Sequence, residues 1–64
     1  MQIKVWNSAY RDSEVRHISL KDVNIIAHRM DYSGRPYILF EHNDYPLGPL
    51  RADFHNDIWE CDLN

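Results

Sequence analysis

The chain has 64 residues, of which 44% are apolar and 27% charged, and its net charge is −3. This composition excludes a wholly disordered chain, and the length allows one small domain spanning residues 1–64. No apolar run approaches the roughly 20 residues of a membrane-spanning helix, and no secretory signal is visible. The one cysteine, Cys61, excludes an internal disulfide, so a cytoplasmic location is expected.

The first part of the chain predicts two strands. Gln2–Trp6 alternates polar and apolar residues, with Ile3 and Val5 on one face. Residues 7–13 are mostly polar and predict a loop. Glu14–Leu20 predicts a second strand, but its apolar residues do not share one face, which indicates a bulge or an early end.

Residues 20–32 fit two structures. As a helix, the segment has Ser19 as N-cap with Asp22 three residues later, and its apolar residues recur at helical spacing. As a strand, it uses β-branched residues that favour the extended backbone. We favour the strand, because Ile25 lies outside the helical stripe and β-branched residues would crowd the first turns.

The strand interpretation makes residues 23–42 a central hairpin. Its second arm contains Tyr37–Phe40, the only run of four large apolar residues, which predicts a strand covered on both faces. Asp31–Gly34 would form the tip, where Gly34 accepts a positive φ.

The last third of the chain contains a turn-rich connector and a final strand. Residues 43–49 hold two of the three prolines and cannot continue a central strand. Leu50–Asn56 is ambiguous and allows a single helical turn, whereas Asp57–Leu63 alternates as a half-buried strand does.

The predicted elements give a mainly β fold. It would be a small antiparallel sheet or SH3-like barrel of four or five short strands around the hairpin at 23–42. The alternative is an α+β arrangement, ββαββ, with a helix at 20–32.

Two copies of the tripeptide His-Asn-Asp, at residues 42–44 and 55–57, contain side chains that bind metals. Imidazole and carboxylate ligands could support a metal-dependent activity, and the weak candidates are His42, Asp44, His55 and Asp57. The spacing matches no zinc signature, and Asn-Asp is typical of turns. We therefore predict no metal and no cofactor.

No catalytic group of residues stands out either. Cys61 with a histidine could act as nucleophile and base, but a lone cysteine between Trp59 and Leu63 is typical of a buried apolar position. Two glycines are too few for a phosphate-binding loop. The chain is therefore predicted not to be an enzyme.

Charge and aromatic residues leave nucleic acid as an alternative partner. Residues 1–35 carry six basic and four acidic side chains, whereas residues 36–64 carry one and six. The predicted hairpin tip is flanked by residues able to stack bases and neutralise phosphates, namely Arg29, Tyr32, Arg35 and Tyr37. An isoelectric point near 5.7 counts against this alternative, and we favour charge pairing across strands.

These exclusions favour a non-catalytic interaction module. We expect it to bind a protein partner, or itself as a homodimer, through a sheet edge or an aromatic patch around Tyr45, Phe54 and Trp59. A chain that starts at Met1 without a leader is expected to be a small complete open reading frame. This is the format expected if the chain is a regulator or inhibitor encoded by a bacterium or a phage.

Overall fold

The computed structural model describes all 64 residues, and about half of them lie in six strands. The strands are β1 (Gln2–Trp6), β2 (Arg16–Ser19), β3 (Asn24–Met30), β4 (Pro36–Glu41), β5 (Leu50–His55) and β6 (Ile58–Asp62). The predicted mainly β class is confirmed, although the structure has six strands where four or five were expected. None of its elements is a helix long and apolar enough to cross a membrane.

The six strands form one sheet in the order β2-β1-β6-β5-β4-β3. Neighbouring strands are antiparallel except for β1 and β6, which run parallel. β2 and β3 lie at opposite edges, yet only residues 20–23 join them.

This short connection forces the sheet to curl. The link from β2 to β3 reaches at most about 18 Å, because an extended chain advances by about 3.5 Å per residue. Six strands about 4.8 Å apart would hold the edges of a flat sheet about 24 Å apart. The sheet therefore curls, so that its two edges lie closer together than they would in a flat sheet.

One face of each strand supplies the core, because side chains alternate between the two sides of a strand. Seven residues are buried: Ile3, Val5, Ile18, Ile38, Phe40, Ala52 and Cys61. β4 contributes two of them, Ile38 and Phe40, so it takes part in the core as predicted, but the strand order places the β3–β4 hairpin at one edge of the sheet and not at its centre. Tyr37 and Leu39 on its other side are half-buried, so β4 is covered fully on one face only.

Residues 20–32 contain a strand, as the favoured interpretation predicted. The hydroxyl of Ser19 accepts a hydrogen bond from the Lys21 amide at 3.2 Å, but it caps only one 3₁₀ turn, Leu20–Asp22. Val23 is already extended, and β3 follows at once. The helix alternative is wrong, because pairing with β4 satisfies the backbone of these β-branched residues without crowding their side chains.

β3 and β4 form the predicted hairpin. At its tip, the Asp31 carboxylate accepts hydrogen bonds from the Ser33 hydroxyl and from the amides of Ser33 and Arg35. These bonds, that of the Ser33 side chain first, lower the pKa of Asp31. Gly34 has φ +83°, as the turn requires. Between Ile25 and Ala27 the register shifts by one residue, which is a β-bulge.

β5 and β6 form a second hairpin with a two-residue turn. Asn56 and Asp57 have φ values of 51° and 66°, the left-handed backbone of a tight hairpin turn. The ambiguous segment Leu50–Asn56 is strand β5 followed by the first turn residue, and it contains no helical turn.

Candidate functional site

β3 is the longest strand of the sheet and lies at one of its two edges. Six of its seven residues are exposed and none is buried. Three large apolar side chains are among the exposed ones: Ile25 at 39%, Ile26 at 48% and Met30 at 67%. A long edge strand with exposed apolar side chains is a template for pairing with another chain. We call the open side of Asn24–Met30 the β3 edge.

The hairpin geometry shows which backbone groups the β3 edge presents. The Asp31 amide donates to the Arg35 carbonyl at 3.0 Å, so the backbone groups of these two residues point toward the opposite arm of the hairpin. Along an antiparallel pair, inward and outward residues alternate, which turns the N–H and C=O of Met30 and His28 away from β4. The register agrees, because Met30 lies opposite Pro36, which has no N–H to donate.

The other edge strand, β2, is shorter and better protected. Its Ile18 is buried in the core, and its Arg16 holds the loop after β4. The Arg16 guanidinium donates to the Asp44 carboxylate at 2.9 Å and to the Tyr45 hydroxyl at 3.0 Å. The hydrogen bond from Arg16 lowers the pKa of Asp44. This contact joins the edge strand to a distant loop, whereas the one side-chain hydrogen bond of β3, from Asn24 Nδ2 to Glu41 Oε1 at 3.4 Å, reaches only its neighbour β4.

The predicted aromatic patch is divided between two places. Phe54 and Trp59 are cross-strand partners in β5 and β6, with ring centroids 5.0 Å apart. Trp59 also packs against the core, so this pair contributes to the fold. Tyr45 instead lies against the His42 ring at 5.7 Å and beneath the Arg16 guanidinium at 5.6 Å. The structure therefore brings two of the three residues together.

The residues predicted for nucleic-acid binding all lie on or beside the β3–β4 hairpin. Arg29 and Tyr37 face each other across the two strands. The guanidinium of Arg51 lies 3.9 Å from the centroid of the Tyr37 ring, so Arg51 covers one face of that ring. Tyr32 and Arg35, at the tip, are exposed. Of the two aromatic residues in this set, only Tyr32 is fully exposed.

The metal candidates are separated by the sheet. His42 and Asp44 follow the end of β4. His55 ends β5 and Asp57 lies in the turn between β5 and β6, and the antiparallel register puts these two places at opposite ends of the sheet. The Asp44 carboxylate holds Arg16, and the Asp44 amide donates to His42 Nδ1 at 3.1 Å. No group of three or more His, Cys, Asp or Glu side chains is placed to hold a metal ion.

Cys61 is buried in the core, as expected of an apolar position, with 1% of its surface exposed. Burial, together with the charges of Asp62 and Asp53, raises the pKa of its thiol to about 11. A thiol of this kind is protonated and inaccessible at neutral pH, so it cannot serve as a nucleophile.

The sequence did not point to Ile26 or Met30 as surface residues. β-branched and large apolar residues in a strand usually indicate burial, and their exposure follows only from the position of β3 in the strand order. The local signal is the polar pair His28-Arg29 inside the strand, which is unusual for a strand covered on both sides.

Comparison with known proteins finds no relative: no protein family, no curated protein and no solved structure matches the chain.

Proposed function

We propose that this protein is a non-catalytic interaction module that binds an extended segment of a protein partner along the β3 edge. The observation that carries the proposal is that the longest strand lies at an edge and has no buried residue. In strand addition, main-chain hydrogen bonds provide affinity and alternate side chains provide specificity. The β3 edge offers both, through the free backbone groups of His28 and Met30 and through the exposed apolar side chains beside them.

The magnitudes support reversible binding. Each backbone hydrogen bond formed at the β3 edge would contribute about 1 kcal/mol net. Complete burial of an Ile or Met side chain contributes about 1.5–3 kcal/mol, and Ile26 and Met30 start partly exposed. Ordering the partner segment opposes these gains, so we expect binding in the micromolar range.

The size of the module fits a small regulator or inhibitor, of the kind that bacteria and phages encode, acting on a larger protein. We place it in the cytoplasm, because its only cysteine is a free thiol that forms no part of a disulfide framework. The bulge at Ile26 and the charge of Arg29 limit non-specific pairing at the β3 edge.

The test is to block the β3 edge without breaking the hairpin. His28→Pro removes an N–H that faces away from β4, so the ladder between β3 and β4 should survive. His28→Ala is the matched control, because it loses the same side chain and keeps the N–H. A photo-reactive methionine analogue at Met30 captures the partner in cells, and amide hydrogen exchange follows residues 28 and 30 in the purified complex.

We expect crosslinks to concentrate on β3, and the exchange of the His28 and Met30 amides to slow in the complex. Capture should be lost in His28→Pro and kept in His28→Ala. If a specific partner protects other amides and is captured equally by both variants, the β3 edge is not its binding site and the proposal is wrong.

Nucleic acid is a second candidate partner, favoured by the full exposure of Tyr32 between Arg29 and Arg35 at the hairpin tip. An aromatic ring flanked by guanidinium groups can stack a base and neutralise phosphates. Titration of single-stranded and duplex oligonucleotides at low and high salt distinguishes this candidate, because phosphate contacts strengthen as salt falls. A Tyr32→Ala variant that binds as tightly as the parent would contradict it.

A further inference from the structure

We infer that the β3 edge binds an extended segment in which an acidic residue follows an apolar one, with the acidic side chain placed opposite Arg29. This inference rests on the proposed function and names the chemistry of the partner segment. Three observations support it: the charges around β3, the faces on which its side chains lie, and the backbone groups that the edge presents.

Arg29 is the one strongly basic residue of β3. The strand Asn24–Met30 contains no Asp or Glu, so no acid of its own balances this charge. The Arg29 side chain is exposed, and it belongs to neither of the two ion pairs of the protein. The β3 edge therefore carries a positive charge that no carboxylate of the chain neutralises by direct contact.

The acidic residues nearest to Arg29 along the chain and along its row of the sheet are already engaged. Asp31, two residues later, accepts three hydrogen bonds within the hairpin tip. Across the sheet, Arg29 lies opposite Tyr37, and Tyr37 lies opposite Asp53. The Asp53 carboxylate accepts a hydrogen bond from Arg51 Nε at 2.7 Å. The complementary charge for Arg29 must therefore come from another molecule.

The two faces of β3 differ in polarity at this end of the strand. Arg29 lies opposite Tyr37, on the face away from the core, whereas His28 lies opposite the buried Ile38. Because side chains alternate along a strand, Met30 shares the core side with His28, and 67% of its surface is exposed. A strand added here meets an apolar side chain on one face and a cation on the other.

The outward backbone groups set the order of residues in the partner segment. In an antiparallel addition, the partner residues opposite His28 and Met30 form the hydrogen-bonded pairs. The partner residue between them faces Arg29 in a non-hydrogen-bonded pair, in which the side chains are closest. Read from its N-terminus, the partner has an apolar residue opposite Met30 and then an acidic residue opposite Arg29. Opposite charges in a cross-strand pair are stabilising.

The charges at the other end of β3 favour the same placement. Asn24 lies opposite Glu41 and donates its side-chain amide to the Glu41 carboxylate at 3.4 Å. Asp22, just before the strand, is exposed. An acidic residue of the partner is repelled at this end of β3 and attracted at the Arg29 end, so charge also selects the position of the segment along the edge.

The test uses three synthetic peptides that differ at one position. Each is a capped seven-residue peptide of Val and Thr with a central Val-X-Thr, in which X is Glu, Gln or Lys. Titration of the labelled protein, followed by its amide spectrum, measures dissociation constants into the millimolar range. We expect the amides of His28 and Met30 to shift most. The parent should bind the Glu peptide about fivefold more tightly than the Lys peptide, with the Gln peptide between them.

Charge reversal at Arg29 completes the experiment. Arg29→Glu should invert the order of the three peptides, because the Lys peptide then carries the complementary charge. Arg35→Glu is the matched control, since it makes the same change of charge at an exposed tip residue outside β3. It should leave the Glu peptide preferred. Amide spectra confirm that each variant is folded.

Each other outcome contradicts the inference. A parent that binds all three peptides equally through His28 and Met30, or that prefers the Lys peptide, overturns the acidic partner and leaves strand addition standing. An order of affinities that survives Arg29→Glu places the charge recognition elsewhere. Absence of peptide binding at millimolar concentration also overturns the inference, whereas capture through Met30 in cells decides the proposed function separately.

The same spectra identify the other possible occupants. If the amides of His28 and Met30 shift with protein concentration alone, a second copy of the chain occupies the β3 edge. If a single-stranded oligonucleotide shifts them and the Glu peptide does not, the partner is nucleic acid. Either result overturns the inference.

Discussion

β2 and β3 are both edge strands of one sheet and are joined by a single 3₁₀ turn. They differ in length, in burial and in their side-chain contacts. β2 has four residues, buries Ile18 and is fastened by Arg16 to the loop after β4. β3 has seven residues, buries none and has no such fastening. A fold of this size can leave one edge open only because the core is built from the other strands. The open edge is therefore the part of the molecule that can vary or bind without loss of the fold.

The largest expected effect is a difference in the free energy of unfolding between substitutions in the two edge strands. Ile18→Ala removes a buried side chain from β2 and should lower the free energy of unfolding by about 2–5 kcal/mol. Ile26→Ala removes a similar side chain from an exposed position in β3 and should cost about 0.5 kcal/mol. Urea denaturation followed by tryptophan fluorescence measures both. Equal losses would show that β3 contributes to the core and would break the comparison.

The reactivity of thiols placed in each edge strand should give a second measure of how exposed the two strands are. Met30→Cys places a thiol on the β3 edge, and Ile18→Cys places one in the buried face of β2. The first should react with an aromatic disulfide reagent at neutral pH about as fast as a free thiol. The native Cys61, whose pKa is raised to about 11, should react at least about 100-fold more slowly, and Ile18→Cys should resemble it. Rapid labelling of Cys61 in the native protein would contradict its burial.

The smallest effects should appear on acidification, because two of the three carboxylates with lowered pKa values hold the two edge strands or their turns. Asp44 fastens β2 and Asp31 orders the tip of the β3–β4 hairpin, and both pKa values are lowered in the folded state. A carboxylate with a lowered pKa adds stability that is present above its unfolded pKa and is lost as the pH falls through its folded value. Stability should therefore decline below about pH 4.

The two Asp→Asn variants assign this decline to its sources. Asp44→Asn should flatten part of the acid dependence and increase amide exchange in β2, whereas Asp31→Asn should act on the hairpin tip alone. Amide exchange measured at pH 5 and at pH 3 resolves the two. An acid response that neither variant changes would mean that other carboxylates govern it.

Local chemistry was sufficient to predict the turns and most of the strands. Gly34 marks the tip of the first hairpin, and Asn56-Asp57 supplies the left-handed turn of the second, because turn residues act over three or four positions. Ser19 does cap a turn, so the helical signal was real. It was outweighed by the pairing of Asn24–Met30 with β4, which is a longer-range interaction.

Non-local features were not predictable in the same way. The parallel pairing of β1 with β6 depends on how the whole sheet curls, and nothing near either strand in the sequence records it. The same holds for Tyr45, which lies beside Arg16 rather than with Phe54 and Trp59. The exposure of the β3 edge is also a property of strand order, so the candidate site emerged only with the topology.

The parallel contact between β1 and β6 has a consequence for biosynthesis. β1 is made first and β6 last among the six strands, and Val5 and Cys61 are neighbours in the finished core. In a nascent chain the β1–β2 pair and the β3–β4 hairpin can form early. β1 cannot pair with β6, however, until β6 has left the ribosome. We therefore expect the sheet to be completed only after residues 58–62 have left the ribosome, with a rate limited by this long-range closure.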